Sequence, residues 1–156
     1  MPRPQKDRIV HRPPLFAEFK PIGTGRGFLE QITMTLDEYE ALRLADYEAL
    51  SQEEAADDMG VSRPTFTRLI EKARFKMADF LINGKVLAIE GGNVHFRNNI
   101  IHCQNCGHKF NINISTEINT CPQCGSTNLI NLAGGFGHGR CCINSNQKGG
   151  RNAQRR

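Results

Sequence analysis

A chain of 156 residues can hold one medium domain or two small ones. Its 38% hydrophobic and 23% charged residues make a soluble composition, and no apolar run is long enough to cross a bilayer. The opening MPRPQKDRIV has charge but no apolar stretch behind it, which excludes a secretory signal and leads us to expect a cytoplasmic protein. The net charge of +4 is unevenly spread. Arg3, Lys6, Arg8, Arg12, Lys20 and Arg26 crowd the first 26 residues, and Arg140, Lys148, Arg151, Arg155 and Arg156 the last. Residues 37–58 between them are acidic. Basic ends around an acidic body fit a protein that meets phosphate with selected surfaces.

In chain order, residues 1–27 hold Pro2, Pro4, Pro13, Pro14 and Pro21, then Gly23, Gly25 and Gly27, which predicts an extended basic arm. FLEQITM (28–34) alternates as a short strand does. Helical periodicity follows from Thr35 to about Leu81. Thr35 stands as an N-cap before Asp37 and Glu38, and Leu36, Tyr39, Leu42 and Ala45 recur on one face. This helix is expected to end near Glu48. Ser51 opens the next with Glu54 three residues on, a capping box, and Gly60 stops it. After Val61, Ser62 caps a third helix with Pro64 in its first turn. Its apolar stripe is Phe66, Leu69, Ile70, Ala73, Met77 and Phe80; Arg63, Thr67, Arg68, Glu71 and Lys72 take the other face.

Two helices joined by so short a glycine-containing turn must cross steeply, with Val61 plugging the angle. That is the helix-turn-helix geometry, whose second helix enters the major groove of duplex DNA. Arg63, Thr67 and Arg68 stand where base edges are read, and Ser62, Thr65 and Lys72 suit phosphate. A three-helix bundle with a charged face is the plainer alternative. Cap, box, turn glycine, plug and basic residues in that order favour DNA.

LDEYEALRLADYEALSQEEAADDMGVSRPTF and the following TRLIEKARFKMADFLINGKVLAIEGG closely resemble a prokaryotic family of predicted DNA-binding proteins. It is uncharacterised protein family 0251, or domain of unknown function 134. MPRPQKDRIV and FKPIG look like its N-terminus, so the resemblance covers about residues 1–95. Its helix-turn-helix is similar to region 4 of sigma factors, which implies base-facing positions at Arg63, Pro64, Thr67 and Arg68. Pro64 stands where sigma factors often carry an acidic reader, so their promoter specificity does not carry over.

A Gly91-Gly92 turn separates KVLAIE from NVHFR, a pair that fits a hairpin joining two modules. Beyond it come Cys103-x-x-Cys106-Gly and Cys121-x-x-Cys124-Gly. Two such turns supply four thiolates to one point, the ligand set of structural Zn(2+) in a zinc ribbon, with iron as the rival metal. A thioredoxin-like redox pair is disfavoured, because one pair would suffice and no βαβ context surrounds it. His102 and His108 flank the first turn and are not needed as ligands. His138, Cys141 and Cys142 form a His-x-x-Cys-Cys cluster that suits a second metal or an oxidation sensor. The glycine-rich composition around it predicts an unstructured stretch instead.

The expected fold is therefore mainly α, a three-helix domain plus a small β zinc ribbon. Its parts are a basic arm (1–27), the helical domain with short flanking strands (28–97), the ribbon (98–133) and a disordered Gly/Arg-rich tail (134–156). The expected function is a transcriptional regulator binding double-stranded DNA, with a zinc-ribbon adaptor docking on a protein partner as the alternative. A homodimer would lengthen the DNA site read. No membrane partner is expected. Neither is catalysis, since the sequence has no phosphate loop, nucleophile elbow or open metal position.

Overall fold

The computed structural model describes residues 7–139 and 141–143. They fall into two compact units that are discontinuous in sequence. The first takes Phe16–Val94 with the chain up to Ile9; the second takes Val10–Leu15 with the chain from His95. No helix among the described residues is long and apolar enough to cross a membrane.

The fold is mixed α/β rather than mainly α, because eight short strands accompany the helices among the described residues. In the first unit, β2 (Glu18–Phe19), β3 (Gln31–Met34) and β4 (Val86–Ile89) form a sheet in the order β2-β4-β3. All four residues of β4 are buried, as a central strand requires. Strand β3 runs parallel to β4 with Gln31 opposite Val86 and Met34 opposite Ile89, while β2 runs antiparallel with Glu18 opposite Ala88. A parallel pair needs a long crossover, and here the whole helical segment serves as one. The expected hairpin across Gly91-Gly92 does not form, since both edges of β4 are already taken. Residues Arg8–Val10 form a further short strand, β1. The described part of the arm is thus structured; Arg3 and Lys6 lie outside the described residues.

Helix α1 (Leu36–Leu42) continues into a wider π turn over Arg43–Tyr47, where the Glu48 N–H reaches the Arg43 carbonyl at 2.9 Å. Helix α2 (Gln52–Met59) opens on the predicted box: Ser51 Oγ accepts from the Glu54 N–H at 3.1 Å, and Glu54 accepts from the Ser51 N–H at 3.4 Å. It closes at Gly60, whose φ of +68° a side chain would strain. Helix α3 (Arg63–Asn83) starts with Ser62 Oγ accepting from the Thr65 N–H at 3.3 Å. Its stripe serves two clusters. Phe66, Leu69 and Ile70 pack with Ala41, Leu44, Ala55, Ala56 and Met59. One helical turn further on, Ala73 packs with Met34 of β3 and Leu87 of β4, with Met77 and Phe80 beside it.

The acids of α1 are not a solvated face. Asp37, Glu38 and Glu40 are all buried, and each has a cation: Arg8 for Asp37, Lys76 at 2.6 Å for Glu38 and Arg43 at 2.5 Å for Glu40. Glu38 also accepts the Thr35 N–H at 2.9 Å, so one carboxylate caps α1 and anchors α3. Burial works to lower the Arg43 pKa, but the hydrogen bond and charge of Glu40, helped by Glu48, leave it above the ordinary arginine value.

In the second unit, β6 (Asn98–Cys103) is central, with β7 (Lys109–Asn113) and β8 (Leu129–Asn131) antiparallel on either side. Strand β5 (Val94–Phe96) leads into it, with His95 and Phe96 belonging to this unit. After β8 the chain forms a short helix α4 (Leu132–Gly135), started by Asn131 Oδ1 accepting from the Gly134 N–H at 2.6 Å. Ala133 and Cys142 are buried. The expected tail is therefore structured at residues 134–139 and 141–143; its composition concealed the tertiary contacts that hold it. Residues 144–156 lie outside the described set, together with the basic residues predicted there.

Glu40 is 1% exposed and Arg43 8%. Glu40→Ala should destabilise the protein by about 3 kcal/mol, the low end for a broken buried pair because Glu48 still reaches Arg43. The urea midpoint checks this, and a loss below about 1 kcal/mol would show that the guanidinium does not depend on Glu40.

Candidate functional site

The first-unit site is the outer face of α3. Arg63, Pro64, Arg68 and Lys72 are exposed, while Thr65 and Thr67 are half-buried. Both threonine hydroxyls have internal roles. Thr65 Oγ1 accepts from Ser62 Oγ at 2.9 Å within the cap. Thr67 Oγ1 donates to Gln52 Oε1 at 2.5 Å, tying α3 to the start of α2, and sits 3.1 Å from the Arg63 carbonyl. Gln52 was not singled out from the sequence; nothing in its local pattern reveals a partner fifteen residues away.

The cations of α3 divide by their surroundings. Arg74 makes a two-pronged pair with Asp46 at 2.7 and 3.1 Å, and Lys76 belongs to Glu38. The hydrogen bond between Arg74 and Asp46 raises the arginine pKa and lowers that of the acid. Arg68 is held lightly, its Nε donating to the Pro64 carbonyl at 3.3 Å. The N-terminal half of α3 therefore presents Arg63, Arg68 and Lys72 outward. Guanidinium and ammonium groups so placed can bind phosphate or guanine edges.

The second-unit site is built by two equivalent turns. Gly107 N–H returns to the Cys103 carbonyl at 2.9 Å, and Gly125 N–H to the Cys121 carbonyl at 2.8 Å. The Cys103 N–H donates to the His108 carbonyl and the Cys121 N–H to that of Ser126, closing each turn on the following residues. These turns bring Cys103 Sγ to 3.6 Å from Cys124 Sγ, and Cys106 Sγ to 3.7 Å from Cys121 Sγ. All four sulfurs lie within 4.8 Å of one another, close enough to hold a metal ion. Tetrahedral Zn–S bonds of about 2.3 Å would set sulfurs about 3.8 Å apart, so the cage is the right size. Cys103 and Cys121 are buried; Cys106 and Cys124 are exposed.

Donors already point at the sulfurs, as metal-bound thiolates need. The Gln123 N–H reaches Cys121 Sγ at 3.4 Å and the Asn105 amide reaches Cys124 Sγ at 3.6 Å. The Ser126 backbone bond and then Asn105 hold the Cys124 thiol down at about 6. The Cys106 thiol is pushed up to about 12: its backbone bond to His108 lowers it, but burial and the three neighbouring thiols outweigh that. Cys106 thus keeps a proton that a bound cation would displace. His108 stacks on Phe110 at 5.4 Å, and His102 is half-buried on β6.

The family described as "Protein of unknown function DUF134" matches residues 1–97. The chain belongs to this family. It is 48% identical over 143 residues to a UPF0251 protein of Chloroherpeton thalassium, covering 90% of this chain and 95% of that one. A UPF0251 protein of Moorella thermoacetica is 43% identical over 141 residues, 90% of this chain and 93% of the relative. A third, from a Thermoanaerobacter species, is 53% identical over 93 residues, 60% of this chain and 82% of its own length. The two longer alignments extend beyond the family match, so the likeness includes part of the cysteine-bearing segment. No solved structure matches the chain.

Titration of reduced, metal-free protein with Co(2+) should give the intense sulfur-to-metal absorption of a tetrathiolate site. Cys103→Ser with Cys106→Ser should abolish that signature, since two thiolates cannot reproduce it. An unchanged spectrum would exclude the four-cysteine cage.

Proposed function

We propose that the protein is a transcriptional regulator that binds duplex DNA through a helix-turn-helix, with a Zn(2+)-holding ribbon as its second unit. The observation that carries the DNA reading is the α2–turn–α3 arrangement. Two capped helices are joined by Gly60, Val61 and Ser62 alone, and the second presents Arg63, Arg68 and Lys72 at its start. An α-helix fits the major groove, and arginine reads guanine O6 and N7 there with two hydrogen bonds. In this reading Arg63 and Arg68 contact bases and Lys72 contacts phosphate. Pro64 brings the helix start close without a donor of its own. Thr65 and Thr67 act mainly by holding the helix in place, with the Thr67 methyl as the part left to meet a base.

The support for zinc is the sulfur spacing and the amide donors aimed at the cage. Zinc there supplies folding energy to a unit whose core is small, and four filled positions leave no open one for catalysis.

A second reading rests on the exposed acids Glu53, Glu54 and Asp57 of α2, which would oppose phosphate and suit a basic protein surface. In that reading the protein is an adaptor that docks on a partner.

Selection from a random duplex pool with zinc-loaded protein separates the two. An enriched motif is the expected result, and its symmetry would report whether a homodimer reads the site. No enrichment from folded, metal-loaded protein would leave the adaptor. On the enriched duplex, Arg63→Ala with Arg68→Ala should weaken binding at least roughly tenfold without changing the helical circular dichroism. Affinity should also fall steeply with salt.

A further inference from the structure

We propose that the second unit holds a second metal centre, distinct from the four-cysteine cage, made by Cys141, Cys142, His95 and His138. Its occupant is a borderline-soft divalent cation of the Zn(2+) class. Cys141 Sγ and Cys142 Sγ lie 3.6 Å apart. His138 Nδ1 is 3.3 Å from the first sulfur and 4.0 Å from the second. A ring nitrogen of His95 and both sulfurs all fall within 4.8 Å of one another. Zn–S bonds of about 2.3 Å and Zn–N bonds of about 2.1 Å at tetrahedral angles give S···S near 3.8 Å and S···N near 3.6 Å. The sulfur separation is close to the first value, and the two His138 separations bracket the second.

The surroundings fit the same reading. His95 comes from β5, whereas the other three come from the segment after α4, more than forty positions along the chain. Two sulfurs and two imidazoles from distant segments, each imidazole within reach of both sulfurs, do not gather for packing alone, because aliphatic groups would fill the space at no desolvation cost. Cys142 is fully buried, and the Phe96 N–H donates to its sulfur at 3.1 Å. That contact is of the kind Gln123 makes with Cys121 in the first cage. The Phe96 ring meets His138 edge-on at 5.3 Å, which limits the imidazole's rotation. The His138 N–H returns to the Ala133 carbonyl at 2.9 Å and the Cys142 N–H to that of Gly139 at 3.2 Å, so the backbone itself folds into the turn. Two thiolates and two neutral imidazoles around a divalent cation carry no net charge, which suits a half-buried place. Uptake releases the two thiol protons.

The second centre fastens His138, Cys141 and Cys142 onto β5. The test uses the full chain, reduced and freed of metal, then titrated with Zn(2+) and counted by native mass spectrometry. Wild type should take two ions. Cys141→Ser with His138→Ala, placed at the more accessible ligands, should take one and keep the tetrathiolate Co(2+) spectrum. Cys103→Ser with Cys106→Ser should also take one, with the weaker charge-transfer band and shorter-wavelength d–d bands of mixed sulfur and nitrogen ligation. A wild-type count of one, or a tail variant that still takes two, overturns the proposal. So does a wild-type chain that carries one ion together with a Cys141–Cys142 disulfide, seen as the loss of two hydrogen masses. The wild-type count decides even if a variant fails to fold.

Discussion

Three carboxylates buried along seven residues of α1 set the terms on which the first unit folds. A carboxylate out of water costs several kcal/mol unless a cation and hydrogen bonds answer it. Here Asp37 draws Arg8 from the N-terminal segment, Glu38 draws Lys76 from the middle of α3, and Glu40 draws Arg43 from the π turn. Each pair fixes a different neighbour to the same helix. The apolar clusters around Phe66 and Ala73 supply the larger hydrophobic driving force, but they tolerate sliding better than paired charges do. Directional pairs of this kind select one arrangement among several that bury similar apolar area.

The same pairing decides which cations can act outward. Lys76 and Arg8 lie on internal acids, and Arg74 is clamped by Asp46. What remains on the accessible N-terminal half of α3 is a short basic patch of Arg63, Arg68 and Lys72. These three outward cations all lie in the first three turns of α3.

The second unit solves a different problem. Its strands are short and Asn-rich, its buried apolar residues are few, and four cysteine sulfurs gather within 4.8 Å of one another. The repeated turn, cysteine to glycine with the backbone closing behind it, is a local device that needs no core to form. Converging two copies on one point is what requires the sheet. Strand β6 delivers Cys103 at its end, and β8 follows directly on the second turn to pair with it.

Local chemistry was legible in the sequence because its causes are local. Ser51 with Glu54, Gly60, Ser62 and Pro64 start and stop α2 and α3 through bonds within four residues, and the Cys-x-x-Cys-Gly spacing makes a turn wherever it occurs. Those signals located two helices and four metal-ligand candidates. Long-range partners left no such mark. A run of acids looks the same whether solvated or buried against Arg8 and Lys76, and KVLAIE could pair with its neighbour in sequence or, as it does, with β2 and β3. His95 stands 46 residues from Cys141, and a glycine-rich context made the tail look structureless. Periodicity and spacing record what a residue does to its own turn of chain. Which distant segment shares its charge, its sheet edge or its cluster of sulfurs and imidazoles is decided only when the tertiary structure brings the two together.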